Sequence, residues 1–187
     1  MTQKNTSDFQ KFIAYTKQTS LARTNRYSIV IAGYPVSLAA MGEGLTLMCD
    51  AASHPGYSVG TKDSSYTNIA TMRPDGSLDY KNVSGMSFLL DENQSIKSFF
   101  VNWMKLVVDP STGFVRYPEN YICSSITINQ LDMMDNITYT TTLYDAYPIE
   151  IGAVDVSNDA SNTFSRINIQ FTFTSWDSTS TPKKLSK

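Results

Sequence analysis

Cys49 and His54 are the one pair of side chains in this sequence whose types and spacing suit nucleophilic chemistry, because an imidazole beside a thiol can take its proton and leave a thiolate. That chemistry also needs a group to orient the imidazole, and none is evident around the apolar helical stretch at whose end both residues stand. His54 is the only histidine, which removes a second catalytic imidazole and any histidine-based metal cluster. Turn and packing roles are therefore assigned to both. Cys123 is distant from Cys49 with no C-x-x-C spacing, and both cysteines read as buried free thiols. Asp132 and Asp135 flank Met133 and Met134 and offer carboxylates to a cation, but the segment lacks the ligand density and the glycine of a calcium loop. It reads as a solvated hairpin tip. Met41-Gly42-Glu43-Gly44 holds a G-x-G without the third glycine or the strand-turn-helix setting of a phosphate loop. No residue is assigned to catalysis, to a cofactor or to a metal, and the chain is not read as an enzyme.

At 187 residues the chain has the length of one domain and can bury a core without staples. Hydrophobic residues make up 41% and charged ones only 17%, below the roughly 25% usual in soluble domains, and Ser, Thr and Asn fill the difference. Low charge with many hydroxyls suits β-structure and surfaces covered by other subunits. A net charge of -2 leaves no basic footprint for wrapping nucleic acid; a near-neutral surface would let DNA slide past. The N-terminus lacks an apolar signal region, and no apolar run approaches the roughly 18 residues of a membrane span, so neither export by a signal peptide nor membrane insertion is expected.

Hydrophobic periodicity places the elements. Residues 1–20 read as an arm in which Ser7 caps a short helix with Phe9, Phe12, Ile13 and Thr16 on one face. Asn25 to Ile31 is a strand, Leu45 to Ala52 a short helix ended by His54-Pro55-Gly56. Tyr57 to Thr61 and Tyr66 to Met72 are strands joined by Lys62 to Ser65, with a turn at Pro74-Asp75-Gly76. They hold few large apolar residues and read as a projecting hairpin. Tyr57, Val59, Tyr66, Ile69 and Met72 are therefore candidate contacts to another subunit, together with Met133 and Met134, large apolar residues at a polar turn. Val83 to Leu90 is a strand. The convincing helix runs from Glu92 to Val108, with Ile96, Phe99, Phe100, Trp103, Leu106 and Val107 at steps of three and four. Strands follow at Tyr121 to Leu131, Ile137 to Asp145 and Ala153 to Ser157; residues from Asp177 onward read as a mobile polar tail.

In the closing segment, Phe164 to Trp176, Ile167, Ile169, Phe171 and Phe173 alternate with Arg166, Asn168, Gln170, Thr172 and Thr174. A strand turns successive side chains to opposite faces, so one face is apolar and the other polar and almost uncharged. The polar face is either a solvated surface or the wall of a water-filled channel.

Taken in order, several of these segments resemble the tail-tube proteins of contractile-tailed bacteriophages: S-L-A-R-T-N-R-Y-S-I-V-I from Ser20, L-M-C-D-A-A-S-H-P-G from Leu47, S-F-F-V-N-W-M from Ser98, T-G-F-V-R-Y-P-E-N-Y from Thr112, I-T-I-N-Q-L-D from Ile126, and L-Y-D-A-Y-P-I-E-I-G from Leu143, followed by F-T-F-T-S-W. The similarity spans roughly residues 20 to 176; the arm (1–20) and the tail (177–187) lie outside the tube domain (21–176). The resemblance implies a β-barrel or sandwich flanked by the long helix and a short one, with six copies closing into a ring around a shared inner β-barrel. Rings would stack into a tube inside a contractile sheath, in the virion, after assembly in the host cytoplasm. The implied partners are the chain itself, the sheath, baseplate tube-initiator proteins, a tape-measure protein and, transiently, phage DNA, with no membrane. Arg166, Asn168, Gln170, Thr172 and Thr174 then become candidates to line the lumen. Other readings are a baseplate initiator or terminator ring, the tube of a phage-like bacteriocin or injection system, and, from another class, a monomeric glycan-binding β-sandwich.

Overall fold

In the computed structural model, residues 8–19, 21–35, 38, 42–66, 69–80, 82–154, 156 and 164–181 are described. Helices are α1 (Asp8–Thr19), α2 (Gly42–Met48) and α3 (Ser95–Val107). The strands are β1 (Tyr27–Ala32), β2 (Cys49–Ala52), β3 (Tyr57–Tyr66), β4 (Ile69–Tyr80), β5 (Val83–Leu89), β6 (Cys123–Leu131), β7 (Ile137–Ile151), β8 (Arg166–Thr172) and β9 (Ser175–Ser180). Seven of them form one antiparallel sheet in the order β1-β6-β7-β8-β5-β2, with β9 also on β7, while β3 and β4 pair only with each other. Among the described residues no helix is long and apolar enough to cross a membrane.

The long strand β7 makes this sheet two-layered. β8 and β9 run end to end along one side of it, with Thr172 opposite Tyr147 and Ser175 opposite Tyr144. Between these pairs the ladder bends. Asp145 adopts a left-handed φ of 54°, and Tyr144 and Asp145 are both exposed before Ala146 turns inward. On the partner, Thr174 and Ser175 are both exposed after buried Phe173. Each strand thus carries an extra residue at the same level, which is how a strand passes from one layer to the other while keeping its apolar side inward.

The two layers enclose Ile29, Ile31, Ile126, Ile128 and Leu143 on one side and Met86, Phe88, Ile167, Ile169 and Phe171 on the other. α3 fills the open flank between them. Its stripe buries Ile96, Phe99, Phe100 and Trp103; Phe100 meets Phe88 at 5.0 Å and Phe171 at 6.0 Å between ring centroids, and Trp103 lies 6.1 Å from Phe171. The indole N–H donates to the Tyr121 carbonyl at 2.6 Å, so the buried tryptophan leaves no orphan donor. At the start of α3 the Asp91 carboxylate accepts the Ser95 backbone N–H at 2.8 Å and the Ser95 hydroxyl, satisfying first-turn donors that the helix itself cannot.

The sheet is not a closed barrel, which corrects the expected one. Its terminal strands β1 and β2 approach each other, but Tyr27 joins them by a single side-chain bond from its hydroxyl to the Cys49 carbonyl, 3.0 Å, with no ladder. α2 packs beside this seam and buries Leu45.

Five expectations from periodicity need correction. The helix over Leu45 to Ala52 begins at Gly42 and stops at Met48, because Cys49–Ala52 pair with the edge of β5. Lys62 to Ser65 are not a turn: β3 continues to Tyr66, which pairs with Ile69. Pro74-Asp75-Gly76 turns locally but inside β4. Asp75, Gly76 and Ser77 together face only Gly60, forming a bulge in which Asp75 Oδ1 accepts the Ser77 N–H at 2.8 Å and its hydroxyl at 2.6 Å. A side chain at Gly60 would sit 2.0 Å from the Ser77 hydroxyl oxygen. No described residue of Ala153 to Ser157 forms a strand; instead β7, expected to stop at Asp145, runs on through Pro148 to Ile151, and the missing N–H is tolerated because β6 stops pairing at Ala146 and leaves that side free. Ala153, Val154 and Val156 lie in no strand, and Asp155 and Ser157 are outside the described residues. Finally, Asp177 to Ser180 are not tail but part of β9, held by β7. Ser7, the expected cap of α1, is outside the described residues.

Replacing Phe100 by Ala should lower the unfolding free energy by about 3–5 kcal/mol, whereas exposed Asn102→Ala should change it by less than about 0.5 kcal/mol. Urea unfolding of the two variants beside the wild type measures both; equal effects would contradict the placement of α3.

Candidate assembly surfaces

Beyond its core the chain presents two polar sheet faces and two projecting apolar edges. On β8, Arg166, Asn168, Gln170 and Thr172 point away from buried Ile167, Ile169 and Phe171. Their neighbours on β5 are Leu89, Ser87, Gly85 and Val83 in turn, and Glu150 of β7 lies opposite Gln170. The Arg166 guanidinium donates to Asp50 at 2.6 Å, so the one cation of the row is neutralised in place. Ala51, Ser53, Gly85, Ser87, Asn168 and Gln170 border a shallow concavity of about 340 Å³. Thr174, counted with this row from sequence, stands apart from it: it is exposed at the bend, its N–H bound to the Tyr144 carbonyl.

A second polar face escaped the sequence reading. On the outer side of the β1, β6, β7 and β9 layer, Ser28, Asn129, Thr140 and Thr179 form a cross-strand row, and Val30, Thr127, Thr142 and Asp177 the next. Asn129 donates to the Ser28 hydroxyl at 3.3 Å and accepts from Thr140 at 2.9 Å. This face is hydroxyl-covered with Asp177 as its charge. The alternation of Thr127 and Asn129 and of Thr138, Thr140 and Thr142 is its signal in the sequence, but only the strand order brings those segments side by side.

The projecting edges are the β3–β4 hairpin and the β6–β7 tip. Tyr57 and Val59 are exposed near the base of the hairpin, where the Tyr57 ring lies 5.8 Å from Trp176, and Met72 stands 78% exposed farther out. Tyr66 and Ile69 pair with each other at the hairpin end. At the tip, Met133 and Met134 stand 59% and 77% exposed. Asp132 and Asp135 have structural tasks there. Asp132 Oδ1 accepts the backbone N–H groups of Met134 at 2.7 Å and Asn136 at 3.0 Å, and Asp135 pairs with Arg26 at 2.6 Å. Among the described residues no cluster of three or more potential ligands is placed to hold a metal.

Cys49 and His54 are engaged elsewhere. The Cys49 thiol donates to the Ala51 carbonyl, 3.3 Å, and burial pushes it up to about 12. His54 Nδ1 lies 2.9 Å from the Thr141 hydroxyl, its ring edge-on to Tyr139, and burial lowers its pKa. A protonated thiol and a neutral imidazole bonded to a hydroxyl do not make a nucleophile.

A model of the phage tail tube protein family matches residues 6–179. The chain belongs to that family. The match takes in α1 and β9 as well as the curved sheet, and the family's role is structural: its chains build tail tubes. Similar solved structures agree on the fold. The anti-feeding prophage tube-terminating cap shares 10% identity over 86% of this chain and 92% of its own, with a TM-score of 0.57. A chain of the sheath–tube complex of the PVC extracellular contractile injection system, in its extended state, shares 9% identity over 90% of this chain and 97% of its own, at 0.56. The sheath/tube terminator of that system gives 10%, 86%, 97% and 0.56. No curated protein sequence matches the chain.

Two measurements test the inert reading of the thiols and the imidazole. Alkylation of native Cys49 and Cys123, both pushed up to about 12, should be slower than that of a free thiol by roughly a thousandfold at pH 7.5 and recover on unfolding; rapid labelling of folded protein would contradict it. The single histidine should titrate by NMR below 6.5. Since its folded pKa is depressed, its stabilising contribution is full above about 6.5 and falls as pH drops below that value; a midpoint above 6.5 would reverse the assignment.

Proposed function

We propose that this tail-tube chain is the repeating subunit of the tube, six copies closing into a ring and rings stacking inside a contractile sheath, through which DNA passes on ejection. The observation that carries this is the family match over residues 6–179, essentially every described element. The β8 row of Arg166, Asn168, Gln170 and Thr172 is our candidate lumen wall, with Thr174 set apart from it at the bend: the row's cation is paired with Asp50, so a polyanion meets hydroxyls, amides and the Glu150 carboxylate instead of a binding groove. Tyr57, Val59, Tyr66, Ile69, Met72, Met133 and Met134 are the candidate contacts between subunits. We assign the sheath, baseplate initiators, a tape-measure protein and transient DNA as partners, with assembly in the host cytoplasm and a place in the virion tail, and no enzymatic activity.

A ring that starts or ends the tube is the second reading, favoured by one observation: the cap and terminator chains are as similar in fold as the chain of the sheath–tube complex. An injection-system tube, which carries no genome, shares the same fold. The glycan-binding alternative draws no support from the family.

Negative-stain microscopy of concentrated protein should show rings and tubes, and Met133→Asp with Met134→Asp should abolish them while leaving the melting temperature within a few degrees. Normal tubes from that double variant would remove the tip from the interface. Rings that never stack, even with initiator present, would favour the terminator reading. A tube map with Arg166, Asn168, Gln170 and Thr172 turned outward would overturn the lumen assignment.

A further inference from the structure

α1 keeps Ile13 and Thr16 half-buried but leaves the phenylalanines of the same face in water. Phe9 and Phe12 lie one turn apart on one face and are 69% and 57% exposed, with Tyr15 at its border at 65%. A helix of 12 residues is marginal by itself, so its aromatic stripe needs a surface to lie on. The root of the helix, by contrast, is fastened. The Gln130 side-chain amide donates to the carbonyls of Arg23 at 2.6 Å and Arg26 at 2.8 Å, the Leu131 N–H donates to Arg26 at 3.0 Å, and the Arg26 guanidinium holds Asp135 at 2.6 Å. These bonds tie the arm to the β6–β7 hairpin at the very end where Met133, Met134 and Ile137 are exposed, and Leu21, between root and helix, is exposed too.

The area decides what such a surface is for. Three aromatic side chains of roughly 150–250 Å² each, about two-thirds uncovered, leave some 300–500 Å² of apolar surface before Leu21 and the methionines are added. That is already near the largest patch usual on a soluble monomer. Covered by an equal area of a partner, arm and tip together come near the roughly 1,200 Å² at which specific protein interfaces begin. The polar side argues against a lipid surface, because Lys11 is paired with Asp8 at 3.1 Å and no dense basic face accompanies the stripe.

The geometry points to α1 as an assembly arm: its Phe9–Phe12 stripe lies on a neighbouring copy of this chain, and the arm and the Met133–Met134 tip form one continuous interface because their shared root is hydrogen-bonded. This rests on the tube reading above and adds to it the element that crosses between subunits. Hydrogen exchange on the full chain, free and assembled, tests it. The amides of α1 should exchange freely in the subunit and at least tenfold more slowly in tubes, while Phe9→Ser with Phe12→Ser keeps the melting temperature and reduces the assembled fraction at least tenfold. Protection of α1 already in the free subunit would mean that it packs on its own body and would overturn the inference. So would tubes in which α1 stays unprotected, tubes formed normally by the double variant, or sedimentation of the free wild-type chain with anionic phosphatidylserine vesicles. Those outcomes leave the tube reading standing; a wild-type chain that makes neither ring nor tube would remove that reading and this one with it.

Discussion

The ladder between β7 and the collinear pair β8 and β9 is the constraint on which the rest of this subunit depends. It must bend to make two layers, and it must bend without turning its apolar side to water. A period-two strand that simply curved would keep its alternation but strain its backbone; one that slipped a residue would turn every later side chain the wrong way. Matched extra residues at Tyr144–Asp145 and Thr174–Ser175 resolve the conflict, with Asp145 in the left-handed region where aspartate is among the more tolerant residues. On one side of the bend the ladder backs Leu143 and Trp176; on the other it backs Phe171 and Pro148. Once the layers are set, their open flank admits one helix, and α3 with its phenylalanines and Trp103 is shaped to fill it.

What the amino-acid sequence discloses follows how far each element's pattern depends on its own neighbours in the chain. α3 is legible because a six-residue apolar stripe at helical spacing is a local signal, and β8 because its three buried apolar residues, Ile167, Ile169 and Phe171, alternate with polar ones without interruption. β2 is not: Cys-Asp-Ala-Ala has no strand pattern, and its extended form comes from the edge of β5 that it joins. β9 likewise is Ser-Trp-Asp-Ser-Thr-Ser, a solvated composition whose pairing is supplied by β7. At Pro74-Asp75-Gly76 the turn chemistry is read correctly and its placement is not, because a bulge uses the same backbone conformations as a turn. The hydroxyl-covered face of Ser28, Asn129, Thr140 and Thr179 draws on residues over 150 positions apart; no window of sequence contains it.

The same contrast separates the surfaces. The polar row of β8 can be named from sequence, and so can the two methionines, since each sits inside one segment. That Arg166 is neutralised by Asp50, that Arg26 reaches Asp135, and that the arm's root is bonded to Gln130 are facts of tertiary structure. They change the meaning of those residues: a cation on a row becomes a closed pair, and a loose leader becomes a tethered one.

The seam between β1 and β2 has a consequence for how copies of such a chain meet. One tyrosine hydroxyl spans it, and neither the six-residue β1 nor the four-residue β2 has a ladder partner on that side. Edges that short offer only a few ladder bonds each, too few to repay the ordering of two freely diffusing molecules. For a subunit that joins others through them, pairing one at a time is therefore unfavourable and closing a ring is not, because the last contact forms without further loss of translational freedom. The unfinished barrel would then act as a threshold: dilute subunits remain separate, and growth begins only where several edges are already held in place.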